Sequence, residues 1–422
     1  MTKTNNSGLI AARVIVASLA AVPPANADVV TDWNVKANTI CAAAKLPPPA
    51  AYRTMAIVQT AAYEALSAVR RSRPAGQESG AEVAASADAA VAAANHAVLS
   101  KLVPSQQTEI DKEYQRAVAA IPDEPAKAAG LAAGEQAANA VIRWRADDGA
   151  TAADAYRPRT AAGVYVPTTL PAATQWPHRR PWVMGRADEF RPGPPPRLSS
   201  ERWARDVNEI KVLGGRDSAR RGATQTGIAR FWEATGPAIY YGLVRSVAQA
   251  PGREPIENAR LLAAAGQAMD DALIAVFDAK YHYGFWRPVT AIRNGDKDGN
   301  PSTERDGSWL PLVETPMHPE YPCAHCALAG AVGAVLAAEV NTGITPLLST
   351  SSSTAPGVVR SWSTIPDFVE EVASARIYDG VHYRTSTEVG TALGKKVGER
   401  VAADGPSRHP HLEAVSAIST AR

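Results

Sequence analysis

Nine prolines fall within the 39 residues from Pro158 to Pro196. That density excludes a helix, where an interior proline removes a hydrogen bond and clashes with the preceding turn. It equally excludes a central strand, which needs its backbone N–H groups. The segment is therefore a long ordered excursion or a subdomain boundary. A surface wrap joining two helical layers is the expected role; a wall or lid over a site is the functional alternative.

Helical patterning flanks this segment on both sides. From about Ala50 to Arg145 the chain is rich in alanine and long polar side chains, with Val83 to Leu102 and Gln107 to Ile121 separated by a break at Pro104 and Ser105. Beyond it, helices are predicted over Glu201 to Val212, Thr224 to Ala234, Ile239 to Ala248, Pro255 to Lys280, Cys323 to Glu339, Phe368 to Ile377 and Thr385 to Val401. In the Pro255 helix an apolar stripe through Met269, Leu273 and Val276 continues to Lys280, where a lysine either snorkels its amine outward, which stripe position favours, or meets an anion in the core. The polar stretch Asn294 to Ser308 lacks the twelve-residue calcium spacing and reads as a solvated turn; Thr350 to Ser363, rich in serine and threonine, reads as loop. The fold class expected is all-α, a multi-helix bundle with long ordered loops.

Lys3 and Arg13 precede the apolar run Val14 to Val22, and Ala25-Asn26-Ala27 offers small residues for cleavage, so residues 1–27 read as a signal peptide and the chain as exported, periplasmic or secreted. A run of nine residues falls well short of the roughly 20 that span a bilayer. Cleavage removes two of the 44 basic residues and none of the 42 acidic ones, leaving no formal charge to attract a nucleic acid. Residues 28–200 then form an N-terminal helical region with its proline-rich connection, and 201–422 a second helical region. Three cysteines, Cys41, Cys323 and Cys326, do not make a disulfide scaffold, although one bridge is allowed.

Four of the eight histidines, His282, His318, His325 and His382, lie among arginines and prolines near element boundaries. Lys280 and Arg287 are seven residues apart, about two helical turns, so on a continuous helix they would face one way and hold two oxygens of one anion. Pro322-Cys323-Ala324-His325 opens a helix whose first N–H groups are free for an anion and whose His325 can move a proton. Arg376 adds a further clamp. Gly380 permits a tight backbone before His382, which opens an inward stripe through Val389, Leu393 and Val397. Three fixed cations and two imidazoles are the equipment for phosphate or a similar oxyanion.

The order and spacing of Lys280-x6-Arg287-Pro288, Pro322-x-x-His325 and Arg376-x5-His382 resemble the three-part signature of the vanadium-dependent haloperoxidase and type 2 phosphatidic acid phosphatase superfamily. Ala229-Arg230-Phe231-Trp232, the stretch from Phe285 to Arg293, His318-Pro319-Glu320-Tyr321-Pro322 and Gly380-Val381-His382-Tyr383-Arg384 are similar to its soluble haloperoxidase branch. The resemblance implies a helical bundle of the vanadium chloroperoxidase and acid phosphatase type. It implies His382 as the axial ligand of a vanadate cofactor and His325 as acid/base, with Lys280, Arg287, Arg376, Cys323 and Ala324 around the oxyanion. The implied activity is oxidation of a halide by hydrogen peroxide to hypohalous acid. Hydrolysis of a phosphate monoester through a histidine nucleophile, with no cofactor, is the alternative. Cys323 and Ala324 stand where the family usually has serine and glycine. Ser386 stands where many members carry the aspartate that orients the second histidine, and Asp379 is a candidate replacement. Cys323-x-x-Cys326 also admits a zinc site with His318 or His325, or a redox dithiol; a non-catalytic helical protein is the remaining alternative.

Overall fold

The 29-residue helix Pro255–Tyr283 (α9) is the axis on which the two halves of the chain meet. The computed structural model describes residues 28–72, 81–340 and 345–406; the leader expected over 1–27 lies outside the described residues. These contain α1 (Val29–Ala43), α2 (Pro48–Arg71), α3 (Ala81–Leu102), α4 (Gln107–Ala119) and α5 (Pro125–Arg145) before the proline-rich excursion. After it come α6 (Glu201–Leu213), α7 (Ala223–Phe231), α8 (Ala238–Ala248), α9, α10 (Pro288–Arg293), α11 (Ala324–Glu339), α12 (Ile365–Tyr378) and α13 (Arg384–Asp404). The chain is helical as expected. None of the helices among the described residues is long and apolar enough to cross a membrane.

Two elements differ from expectation. A first helix, α1, precedes Ala50, its N-terminus closed by the Asp28 carboxylate accepting from the Thr31 N–H at 2.8 Å. The stretch expected as loop near Thr350 forms an antiparallel hairpin, β1 (Leu348–Ser352) and β2 (Ala355–Trp362). Leu348, Thr350 and Ser352 alternate inward, and Thr350 Oγ1 donates to Ile239 O of α8 at 2.8 Å.

One apolar core runs through α1, α2, α3, α8, α9, α11 and α13. Its tightest seam joins α11 to α13. Gly390, Gly394 and Gly398 lie so close to α11 that an added Cβ would stand 2.4 Å from Cys323 O, 1.8 Å from Ala327 O and 2.3 Å from Ala331 O. No larger residue fits there, and the seam fixes the N-terminus of α11 beside the N-terminus of α13.

The excursion is held by ions rather than by secondary structure. Asp270 in mid-α9 takes Arg179 as a two-pronged partner and accepts from Trp182 Nε1 at 2.8 Å. Neighbouring Asp271 accepts from the backbone N–H groups of Trp182, Val183 and Met184. Arg179 also reaches Asp148 at 2.7 Å, which Arg53 and Arg145 contact at 2.8 and 3.2 Å. Burial alone would raise the Asp148 carboxyl, but the three arginines outweigh it and hold the value at about 2, below its ordinary 3.8. A depressed carboxylate stabilises the fold fully above its unfolded value and loses that contribution as pH falls through the folded one. Acid titration of unfolding free energy should therefore show a loss of about 2 kcal/mol from this group between about pH 4 and pH 2. The same loss should be missing in Asp148→Asn.

The polar stretch from Asn294 to Ser308 is not merely a solvated turn. Asp298, Asn300 and Thr303 are buried, and Asp298 accepts from Trp203 Nε1 at 2.8 Å, tying the loop to α6.

Candidate oxyanion site

Five element ends converge on one spot. Lys280 occupies the last turn of α9, which stops where Gly284 turns left-handed (φ 57°). Arg287 lies beyond that turn as the N-cap of α10, so it meets Lys280 through a chain reversal and not through helical phase. His325 stands in the first turn of α11 and Arg376 in the last turn of α12. His382 follows Gly380, whose φ of 87° and close approach to Gly214 O exclude a side chain.

Lys280 does not snorkel. It is fully buried, its Nζ donating to the carbonyls of Pro319 and Glu320 at 3.0 and 2.8 Å. Arg287, also buried, donates from Nε to His318 O at 2.9 Å, from Nη1 to Val381 O at 2.9 Å and from Nη2 to His318 Nδ1 at 3.0 Å. Its Nη1 lies 3.4 Å from His382 Nε2. Arginine can only donate, so that nitrogen of His382 carries the lone pair and Nδ1 carries the proton. Nδ1 gives this proton to Glu320 Oε1 at 2.8 Å, the same oxygen that accepts from the Tyr383 N–H.

Glu320 thus orients His382, and Asp379, the candidate from sequence, does not. Asp379 is instead an ion-pair partner of Arg376 at 2.7 Å. The carboxylate that Ser386 lacks is supplied from another segment of chain. A second correction concerns Cys323. Its sulfur is bridged to Cys326, and its N–H donates to Ser386 O at 3.1 Å. Neither S–H nor N–H remains for an anion. The bridge also takes both thiols out of any zinc site or free dithiol. Ala324 and His325, the first residues of α11, have N–H groups with no partner one turn back. His318 joins the site through Arg287, whereas His282 is exposed and stands apart.

The electrostatics show a shortage of negative charge. Burial, and then Arg287 and Arg376 against an opposing Glu320, drive Lys280 well below the ordinary lysine value. Burial with Arg376, Lys280 and Arg287 likewise lowers His325 and His382, so both imidazoles are neutral. Burial brings Arg287 down to about 10. Burial raises Glu320 to about 7, although Lys280 and Arg287 pull the other way. His325 Nε2–H donates to Ala234 O at 3.1 Å, which leaves Nδ1 as its basic atom.

A cavity of about 400 Å³ opens over His325, Arg376 and His382, walled by Tyr52, Leu273, Phe277, Leu328 and Met317. Ala172 of the excursion lies on its wall, its N–H donating to Met317 O. The excursion is therefore both wrap and wall. Arg376 Nε is buried with no acceptor within the protein. Three cations, an orphaned guanidinium N–H, free helix N–H groups and an imidazole lone pair make a donor set that fits a tetrahedral oxyanion such as vanadate or phosphate.

Residues 260–406 match the family model described as the second helical-bundle domain of vanadium chloroperoxidase. The vanadium chloroperoxidase of Curvularia inaequalis is 28% identical over 180 residues, covering 35% of this chain and 29% of that protein. The chain thus aligns with less than a third of the length of this curated relative. The crystal structure of a bacterial vanadium-dependent iodoperoxidase superposes with a TM-score of 0.76 at 23% identity, covering 90% of this chain and 97% of the other. An apo-type bacterial vanadium-dependent chloroperoxidase gives 0.68 at 18% identity, covering 83% and 92%. Residues 260–406, which carry Lys280, Arg287, His325, Arg376 and His382, are thus similar to the second helical-bundle domain of vanadium chloroperoxidase, and the superpositions show that the chain has the all-α fold of these haloperoxidases.

Proposed function

We propose that the protein is an exported vanadate-dependent haloperoxidase that converts hydrogen peroxide, a halide and a proton into hypohalous acid and water. The observation that carries this reading is the Nε2 lone pair of His382, turned toward Arg287 in a buried site that also holds Lys280 and Arg376. Bound vanadate would supply a Lewis-acid centre that activates peroxide toward a halide. His382 Nε2 would be the protein nitrogen that holds it. Lys280, Arg287, Arg376 and the Ala324 N–H would hold its oxygens, and the cations would hold negative charge in place while the halide attacks. His325, neutral and basic at Nδ1, would be the group that takes up and returns a proton there.

The bridged state of Cys323 supports the peroxidase reading, because a free thiol at that position would be consumed by the product. A disulfide also suits an oxidising compartment. The proteins it is similar to, an iodoperoxidase and chloroperoxidases, point the same way. The test is bromide oxidation by hydrogen peroxide, measured on metal-free protein before and after orthovanadate, beside hydrolysis of a phosphate monoester. Bromide oxidation that appears only with vanadate is expected. Ester hydrolysis that vanadate inhibits, without bromide oxidation, would assign the site to the phosphatase alternative.

Glu320 acts here through His382 as a positioning residue. Glu320→Ala leaves the buried Nδ1–H without an acceptor, and orthovanadate affinity should fall about 10–100-fold. Glu320→Gln keeps an acceptor oxygen at the same reach and should recover most of that loss. Equal affinities for the alanine variant and the parent would remove Glu320 from this role.

A further inference from the structure

We infer that Met317 is a site of oxidative self-modification, the thioether that intercepts hypohalous acid as it leaves the cavity and becomes a sulfoxide during turnover. The chemistry requires the haloperoxidase activity proposed above. Met317 lines the same cavity as His325 and His382, yet is 50% exposed. It therefore stands between the reacting centre and solvent. Among the described residues every other sulfur is withdrawn: Met55, Met184 and Met269 are buried at 0–4% exposure, Cys41 is buried, and Cys323 and Cys326 are bridged. Burial also pushes the Cys41 thiol up to about 12, keeping it protonated and unreactive.

A thioether is the softest nucleophile that the cavity wall offers to an electrophilic halogen. Its sulfur lone pair attacks the halogen of the acid and the halogen–oxygen bond breaks, releasing hydroxide. Water then adds to the halosulfonium sulfur, and the halide leaves with two protons. The net change is thioether plus hypohalous acid to sulfoxide, halide and one proton. Sulfur loses two electrons and the halogen gains them.

The position has structural weight. Thr169 of the excursion donates its hydroxyl to the Met317 sulfur, and Ala172 N–H donates to the Met317 carbonyl, so this residue ties the proline-rich strap to the cavity lip. A sulfoxide oxygen is a stronger acceptor than a thioether and sits further out. Oxidation therefore preserves the Thr169 tie while making the lip more polar.

The experiment is peptide mass mapping of the vanadate-loaded full chain after turnover with hydrogen peroxide and bromide, in excess taurine, whose bromamine reports the hypobromous acid that escapes. The expected result is one added oxygen on Met317, roughly tenfold or more above Met184. It should depend on both bromide and vanadate, persist in excess taurine, and vanish from that peptide in Met317→Leu. Reagent hypobromous acid added from outside under the same taurine should leave Met317 largely intact. Taurine bromamine formed while Met317 stays a thioether, or oxygen addition that survives in M317L, would overturn the assignment. If no bromamine forms, the haloperoxidase reading itself fails and this chemistry fails with it.

Discussion

In His382→Ala, bromide oxidation is expected to drop to the level of free vanadate, and orthovanadate affinity to fall by roughly 100-fold or more, beyond what losing a supporting hydrogen bond costs. The reason is geometric. Arg287 can only donate, so the nitrogen of His382 that it approaches at 3.4 Å has no proton, and Glu320 fixes the ring by holding the other. His318 Nδ1 also faces Arg287, at 3.0 Å, but of the two imidazoles it is His382 whose other nitrogen is held by a carboxylate. Direct titration of orthovanadate into the purified variant checks this. Retained affinity within about threefold of the parent would mean that the oxyanion is held by charge alone.

The largest expected effect on stability lies outside the cation cluster, at Asp270. Asp270→Ala strips Arg179 of its two-pronged partner in a region where both side chains are fully buried, and it removes the acceptor of Trp182 Nε1. Breaking a buried ion pair from one side costs about 3–5 kcal/mol. Denaturant unfolding of the variant measures the loss, and a change under about 1 kcal/mol would show that the ions merely decorate a strap held by packing. The consequence reaches the cavity, because the excursion anchored at Asp270 and Asp271 also carries Ala172 on the cavity wall.

Much of this was legible in the sequence for physical reasons that can be named. The helices after Ser200 were set by apolar periodicity and by breaks such as Gly236-Pro237. The convergence of Lys280, Arg287, His325, Arg376 and His382 was inferred from residue chemistry that a random core would not collect. What escaped was what periodicity does not encode. The αL turn at Gly284 ended the helix on which Lys280 and Arg287 had been aligned. Glu320 sits in an irregular segment, so its bond to His382, 62 residues away, left no trace in any local pattern.

Two other signals were present and went unused. Asp270 and Asp271 interrupt the apolar run of α9, which forecasts buried partners for both. Gly390, Gly394 and Gly398 recur every fourth residue, the pattern of a helix face pressed against another backbone. The hairpin at Leu348–Ser352 was hidden by its serine and threonine content, although its buried positions alternate as a strand requires.

Function follows from how these pieces divide the work. The glycine seam brings α11 and α13 together, the αL turn aims Arg287 back at Lys280, and the ionic strap closes the wall. The result is a buried, cation-rich pocket with two neutral imidazoles, a donor set that fits a tetrahedral oxyanion. Equilibrium titration of metal-free protein with orthovanadate tests that statement most directly. The account predicts saturation at one vanadate per chain, competed by phosphate and raising the thermal midpoint as the cations gain their partner. Binding that fails to saturate, or saturation that phosphate leaves untouched, would contradict it.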